Sequence, residues 1–274
     1  MPQRDKLVIG LIINGDEILS GKREDRHFLK AKEICSARGL SLSWVIYLGD
    51  DRSRCTETLR RSFASGDLVF SFGGIGSTPD DHTRQAAAEA LGLALELHPQ
   101  ARELIALRSA ESGQPLTPER LRMGEFPVGS DIVPNPYNRI PGFAIGRHYF
   151  LPGFPVMAWP MMEWVLDTHY RDWFQEAAEI DHSMVVHKLF EAAVTGLLEE
   201  LTRDYPELRI YSLPSAPVPG DPNARRHLEL GIKLPIHKSA DAALRARFDQ
   251  ACLRLREGVQ ALGGEIAEER ESRR

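Results

Sequence analysis

Five acids stand just past apolar, β-forming stretches: Asp16 and Glu17, Asp50, and Asp80 with Asp81. The last two close a glycine-rich run, Gly73-Gly74-Ile75-Gly76-Ser77-Thr78-Pro79. Glycine lets a backbone approach a ligand closely, and free amides at the start of a helix attract anions, phosphate above all. The amides of Gly73, Gly74, Gly76 and Ser77, with the Thr78 hydroxyl, therefore read as a phosphate cradle. Carboxylates beside a phosphate repel it, and a divalent cation such as Mg2+ between them removes the conflict. Asp16, Glu17, Asp80 and Asp81 are the candidate ligands for that cation. Arg84, one turn further on, pairs either with a phosphate oxygen or with Asp80 in a surface ion pair. Glu17 equally suits a helix cap.

The elements that must hold these groups follow from hydrophobic period. Leu7–Ile13 is a continuous apolar run, as expected of a strand buried on both faces of an α/β sheet. A helix is expected over about 23–38, with Phe28, Ala31 and Cys35 on one face and Gly39 as its stop. Leu42, Trp44, Ile46 and Leu48 alternate as a second strand, and Cys55, Leu59 and Phe63 mark the next helix. Leu68–Phe72 is the third strand. Thr78 then offers an N-cap and Pro79 the first helical position, with the stripe Ala86, Ala87, Ala90, Leu91 behind and Gly92 as stop. Strands alternating with helices predict a mostly parallel sheet, whose C-terminal edge gathers ligands. Acids remote in sequence thereby converge at one edge.

Beyond Gly92 the pattern predicts a short apolar piece over 93–97 and helices over 99–112 and 118–124. An extended segment over 131–136 and a hairpin about Gly146-Arg147 come next. A rigid turn at Leu151-Pro152-Gly153-Phe154-Pro155 leads into a helix carrying Met157, Met161, Trp164 and Val165, read as core or as a contact between copies. From about residue 181 the order becomes strand 184–190, helix 191–203, strand 208–213, a Pro-rich loop over 214–223, strand 227–234, helix 240–262 and a last strand at 265–267. That is a small ferredoxin-like α+β unit, and the domains are expected at 1–175 and 181–270.

Composition narrows the function classes. With 34 basic and 39 acidic residues the formal net charge is −5, which offers no electrostatic footprint for nucleic acid. Arg270, Arg273 and Arg274 read as a frayed tail. No apolar run approaches the roughly 20 residues of a membrane span, nor is there a signal-peptide pattern. Cys35, Cys55 and Cys252 lie far apart without metal or redox spacing, so buried thiols and a cytoplasmic location are expected.

The motifs Gly15-Asp16-Glu17-Ile18-Leu19-Ser20-Gly21, Gly73 through Arg84, Asn135-Pro136, Pro141-Gly142 and Leu151 through Pro155 come in one order over residues 6–170. Together they resemble the N-terminal domain of CinA-type competence/damage-inducible proteins, within the MoaB/MogA-type molybdopterin-binding superfamily. Residues 183–268 are more loosely similar to the small domain that follows it there. The C-terminal amidase domain of those proteins has no counterpart in this sequence, so its activity is expected to be absent. The resemblance implies a three-layer α/β/α fold and a homo-oligomer. It also implies metal-dependent cleavage of nucleotide diphosphates such as ADP-ribose or FAD, or else binding of a pterin such as molybdopterin. By motif position it makes Asp50 and Asp81 the catalytic pair, Asp50 orienting water or acting as base, and adds Asn135 and Gly153 to the substrate-binding residues. Three departures stand out. Asp25-Arg26-His27 replaces the usual Asp-Thr-Asn, Ser77 replaces the loop proline, and Val156-Met157 replaces a Ser-Glu pair. The last change makes the rim less polar and favours the reading of a nucleotide- or pterin-binding module without its own chemistry. A third reading is a scaffold docking through its second domain.

Overall fold

The structure is a computed structural model, and it describes residues 7–175, 179–215, 226–235 and 241–273. These fall into two compact units, 1–174 and 175–274.

In the first unit, six strands form one sheet: β1 (Ile9–Asn14), β2 (Trp44–Leu48), β3 (Leu68–Phe72), β6 (Asp131–Val133), β7 (Gly142–Ile145) and β8 (His148–Leu151), in the order β2-β1-β3-β8-β7-β6. The four from β2 to β8 run parallel, and β7 is antiparallel to both its neighbours. β1 is apolar from Ile9 to Ile13 because both its faces are covered. Ile9, Leu11 and Ile13 pack with α2 (His27–Ser36) and α7 (Pro155–His169). Ile12 points the other way, with α3 (Arg52–Ser65), α4 (Thr83–Leu91) and α5 (Pro99–Glu111). This is the expected three-layer α/β/α arrangement with a mostly parallel sheet. Gly10 pairs with Trp44, and a Cβ at Gly10 would come 2.0 Å from the indole ring, so glycine there lets the edge strand close on the sheet. In register, Asn14 lies beside Leu48, Ile13 beside Phe72, and Phe72 beside Leu151. The chain thus leaves all four parallel strands at one edge.

Three local expectations change. Residues 79–82 are not helical, and α4 begins at Thr83. The cause is Asp81, whose carboxylate accepts from Thr78 N (2.9 Å) and Thr78 Oγ1 (2.5 Å), while its own N–H bonds Thr78 O (3.1 Å). That closed turn holds the segment out of the helix. A short helix not foreseen, α1 (Asp16–Leu19), follows β1. The apolar piece at 93–97 becomes β4 (Leu95–Leu97), paired with an unforeseen β5 (Glu125–Pro127) just past α6 (Pro118–Arg122). Met161, Met162 and Val165 on α7 are core; Trp164 is exposed. All three cysteines are buried.

The second unit comprises β9 (Glu179–His187), α8 (Glu191–Asp204), β10 (Arg209–Ser215), β11 (His227–Pro235), α9 (Ala242–Ala261) and β12 (Glu265–Arg273). Its strands pair antiparallel in the order β10-β11-β9-β12, the ferredoxin-like arrangement expected. Both helices pack on a core of Met184, Leu230, Ile232, Phe248 and Leu255. Arg270 and Arg273 lie in β12, bonded along β9, and are not a frayed tail. Most of the expected Pro-rich loop, from residue 216, lies outside the described residues. Among those residues no helix is long and apolar enough to cross a membrane.

His148 gives the first unit a pH signature. It is 2% exposed, its ring tilted against Phe63 with centroids 4.0 Å apart, with Nε2 2.8 Å from Ser62 Oγ. The Ser62 hydroxyl donates to Leu59 O, so it accepts from His148. Burial pushes the imidazole down to about 4, opposed by the charge of Asp67. Because the folded value lies below the unfolded 6.5, the unfolded chain takes up protons first as pH falls, and stability declines from about pH 6.5 toward 4. A shift of this size corresponds to about 3 kcal/mol. Urea titrations at pH 7 and 4.5 are expected to show a smaller acid loss in His148→Gln than in the natural protein; equal losses would contradict this.

Candidate functional site

A cleft of about 850 Å³ opens at the edge where the parallel strands end. Gly73 (φ +92°) and Gly74 (φ +70°) turn the chain there, and a Cβ at either would strike Asn14 O (2.6 Å) or Thr83 Oγ1 (2.2 Å). The loop carbonyls are then tied down one by one. Gly73 O accepts from Thr83 Oγ1 (3.0 Å), Gly74 O from Thr83 N (3.0 Å) and Gly76 O from Arg84 Nη2 (2.5 Å). In a planar trans peptide the following N–H points away from the carbonyl. The amides of Gly74, Ile75 and Ser77 therefore face away from these anchors, and among the described residues none has a protein acceptor. All three residues line the cleft. That is a set of oriented, unused donors suited to phosphate oxygens, whereas the Gly73 amide, expected among them, is spent on Leu151 O (2.9 Å).

Arg84 occupies a different place from either expected one. It is 2% exposed, does not line the cleft, and also donates to Arg122 O, so it pairs neither with a ligand nor with Asp80. It positions the loop from behind. Thr78 is likewise committed, its hydroxyl donating to Asp81 rather than to a ligand. Asp81 lines the cleft while closing the loop turn, and a Cβ on Gly76 would come 2.5 Å from its Oδ2.

Asp16 and Asp50 do meet. Asp50 Oδ2 accepts from Asp16 N (3.0 Å), and Asp16 Oδ1 accepts from Asp50 N (3.2 Å). Gly49 makes room, since a Cβ there would lie 2.4 Å from Asp16 Oδ1. Burial, then the charges of Asp16, Glu17 and Asp80, hold the Asp50 carboxyl above the usual carboxylate range, partly offset by the Asp16 amide. Acids from two other loops thus act on one carboxyl. Asp50, Glu17, Asp80 and Asp81 line the cleft; Asp16 does not. Among the described residues, no three His, Cys, Asp or Glu side chains stand close enough together to hold a metal ion. The expected set Asp16, Glu17, Asp80 and Asp81 is therefore not a preformed metal cage.

The far wall is apolar. Gly153 lines it, 3.4 Å from Gly73 Cα as a Cβ would measure. Asn135 is 5% exposed and spent on its own turn, accepting from Tyr137 N (3.0 Å) and donating to Asn138 Oδ1 (2.8 Å) and Ile140 O (2.9 Å). Met157 and an exposed Phe154 complete that side. Sequence reasoning gave no role to His27, Arg23 or Arg26, which also line the cleft. His27 stacks on Phe72 at 4.5 Å, its Nε2 lies 3.0 Å from Gly153 O, and burial depresses its pKa. These residues carry no periodic signal, and the only pointer in the sequence was the unusual Asp25-Arg26-His27 triplet.

A family model described as a probable molybdopterin binding domain matches residues 10–171. A CinA-like protein of Anaeromyxobacter sp. (strain K) is 32% identical over 163 residues, which is 58% of this chain and 40% of that protein. A protein of Aeropyrum pernix is 27% identical over 263 residues, covering 94% of this chain and 96% of its own length. Among solved structures, a protein CinA with unknown function from Thermoplasma acidophilum shares 26% identity at a TM-score of 0.53, over 59% of this chain and 97% of that one.

Replacing Gly74 tests the cradle. Gly74→Ala is expected to cost at least about 1–2 kcal/mol from its left-handed backbone alone, and more from the Thr83 clash. Ser77→Ala, which leaves the amide in place, is expected to leave the urea midpoint unchanged. Equal midpoints for Gly74→Ala and the natural protein would contradict the loop geometry.

Proposed function

The chain belongs to the molybdopterin-binding domain family, with CinA-like relatives, and from that premise we propose that its cleft binds a diphosphate-bearing nucleotide or pterin and hydrolyses the pyrophosphate bond with a divalent metal. One observation carries this reading. The unused amides of Gly74, Ile75 and Ser77 and the crowded carboxyl of Asp50 open on the same cleft. The amides hold the oxygens of one phosphate. Asp50, its carboxyl pKa raised by burial, orients a water and accepts its proton as the water oxygen attacks phosphorus. The P–O bond to the bridging oxygen breaks, and its electrons leave with the second phosphate.

The donor chemistry fits a hard cation, since Asp50, Glu17 and Asp80 present carboxylate oxygens to one space and their mutual repulsion is relieved by positive charge. With no three-residue cage among the described residues, Mg2+ would be shared between one or two of these carboxylates and the ligand's phosphates, as is usual for this ion. When bound it supplies charge neutralisation on the phosphates. The apolar wall of Ile140, Pro141, Phe154 and Met157 suits a planar heterocycle.

A second reading is binding of a pterin or nucleotide phosphate without turnover, favoured by Met157 on the cleft wall; Val156, expected beside it, does not line the cleft. The same proposal takes the chain as a cytoplasmic homo-oligomer, supported by the family resemblance and by Trp164 exposed on α7; sedimentation of the natural protein and Trp164→Glu tests self-association.

With ADP-ribose or FAD and Mg2+, AMP release is expected from the natural protein and to fall about 100-fold in Asp50→Asn. Asp81→Ala is expected to lose activity through its loop. Tight calorimetric binding of ADP-ribose with no turnover would decide for the binding module. Neither binding nor turnover would reject both readings.

A further inference from the structure

Five carboxylates line the cleft, those of Glu17, Glu24, Asp50, Asp80 and Asp81, and two guanidinium groups, Arg23 and Arg26, stand among them. Burial lowers the His27 pKa, and Arg84 is turned away beneath the loop, so these two are the arginines of the cleft. Both are exposed, and among the described residues neither guanidinium has an ion-pair partner. Asp25, the acid next to Arg26, is already engaged. It accepts from His27 N (2.7 Å), Phe28 N (3.3 Å) and Tyr47 Oη (2.7 Å), and so caps α2. Arg23 is fixed through its backbone, its N–H bonding Glu17 O at 2.9 Å.

These arginines line the same cleft as the loop residues Gly74, Ile75 and Ser77. Asp50 feels the charges of both Glu17, on the Arg23 side, and Asp80, on the glycine loop. His27, next to Arg26, lies 3.0 Å from the carbonyl of Gly153, which abuts Gly73. Guanidinium groups present a planar fork of donors matched to phosphate oxygens.

We propose that Arg23 and Arg26 form a clamp for a second oxyanion, so that a diphosphate is held with one phosphate on the loop amides and the other on the arginines, without need of a metal for binding. This rests on the diphosphate reading of the cleft. The clamp supplies the positive charge that lets a phosphate enter among five carboxylates. The Asp25-Arg26-His27 triplet thereby has a use, since Arg26 introduces the cation while Asp25 is kept from neutralising it.

The test is calorimetric titration with inorganic pyrophosphate, in EDTA and again with Mg2+, on the natural protein, Arg23→Gln/Arg26→Gln, Arg26→Lys and Gly74→Ala. Both arginines are exposed, and thermal unfolding checks that the variants fold. The natural protein is expected to bind pyrophosphate in EDTA, the double variant about tenfold or more weakly, Arg26→Lys in between, with raised salt weakening the natural protein most. Equal affinity of the double variant and the natural protein, with loss in Gly74→Ala, would overturn the clamp and leave the cleft reading standing. Binding that needs Mg2+ would also overturn the clamp. No binding in either condition would overturn both.

Discussion

The site depends on how four residues after β3 dispose of their carbonyl groups. Thr83 takes two of them, one with its hydroxyl and one with its amide, and the buried guanidinium of Arg84 takes a third. Peptide planarity then fixes the amides on the other side. Left-handed backbone at Gly73 and Gly74 is what allows the chain to make this turn against Asn14 and Thr83 with no side chain in the way. The donors are oriented before any ligand arrives, so little ordering is required on binding. Arg84 also reaches Arg122 O, just ahead of Met123 on the cleft wall, and so couples the cradle to the wall beside it.

Electrostatics sets the second condition. A parallel sheet delivers the ends of β1, β2 and β3 to one edge, and here two of those ends carry acids while the third carries the glycine loop with two more. The Asp16–Asp50 exchange of amide bonds shows how two like charges are tolerated side by side, each carboxylate being stabilised by the other's N–H. What is left over is a carboxyl at Asp50 whose charge is costly, and a cleft that welcomes cations from a metal, from Arg23 and Arg26, or from both.

Much of this was legible in the sequence. The apolar run of β1, the alternation of β2 and the glycine stops at Gly39 and Gly92 follow from local pattern, and with them the parallel sheet and its ligand edge. The meeting of Asp16 with Asp50 was legible as topology, because both follow parallel neighbours. The start of α4 was not, because Thr78, Pro79 and two acids also satisfy the rules for a helix start; the side chain of Asp81 decides, by closing on Thr78 instead. Arg84 was misplaced for a related reason. An arginine one turn into a surface helix reads as exposed, and only the loop folding back over it buries it. His27, Arg23 and Arg26 belong to an irregular segment where period says nothing. In the second unit the ferredoxin-like α+β class followed from the β-α-β-β-α pattern, but β12 extends through a charged stretch that composition alone reads as a tail.

The loop amides are the proposed first contact of the ligand. A crystal soaked with ADP-ribose and Mg2+ tests it most directly. Phosphate oxygens within hydrogen-bond distance of the amides of Gly74, Ile75 and Ser77, with Asp50 facing the diphosphate, are the expected result. Density for the ligand elsewhere, or those amides turned away from it, would contradict the account.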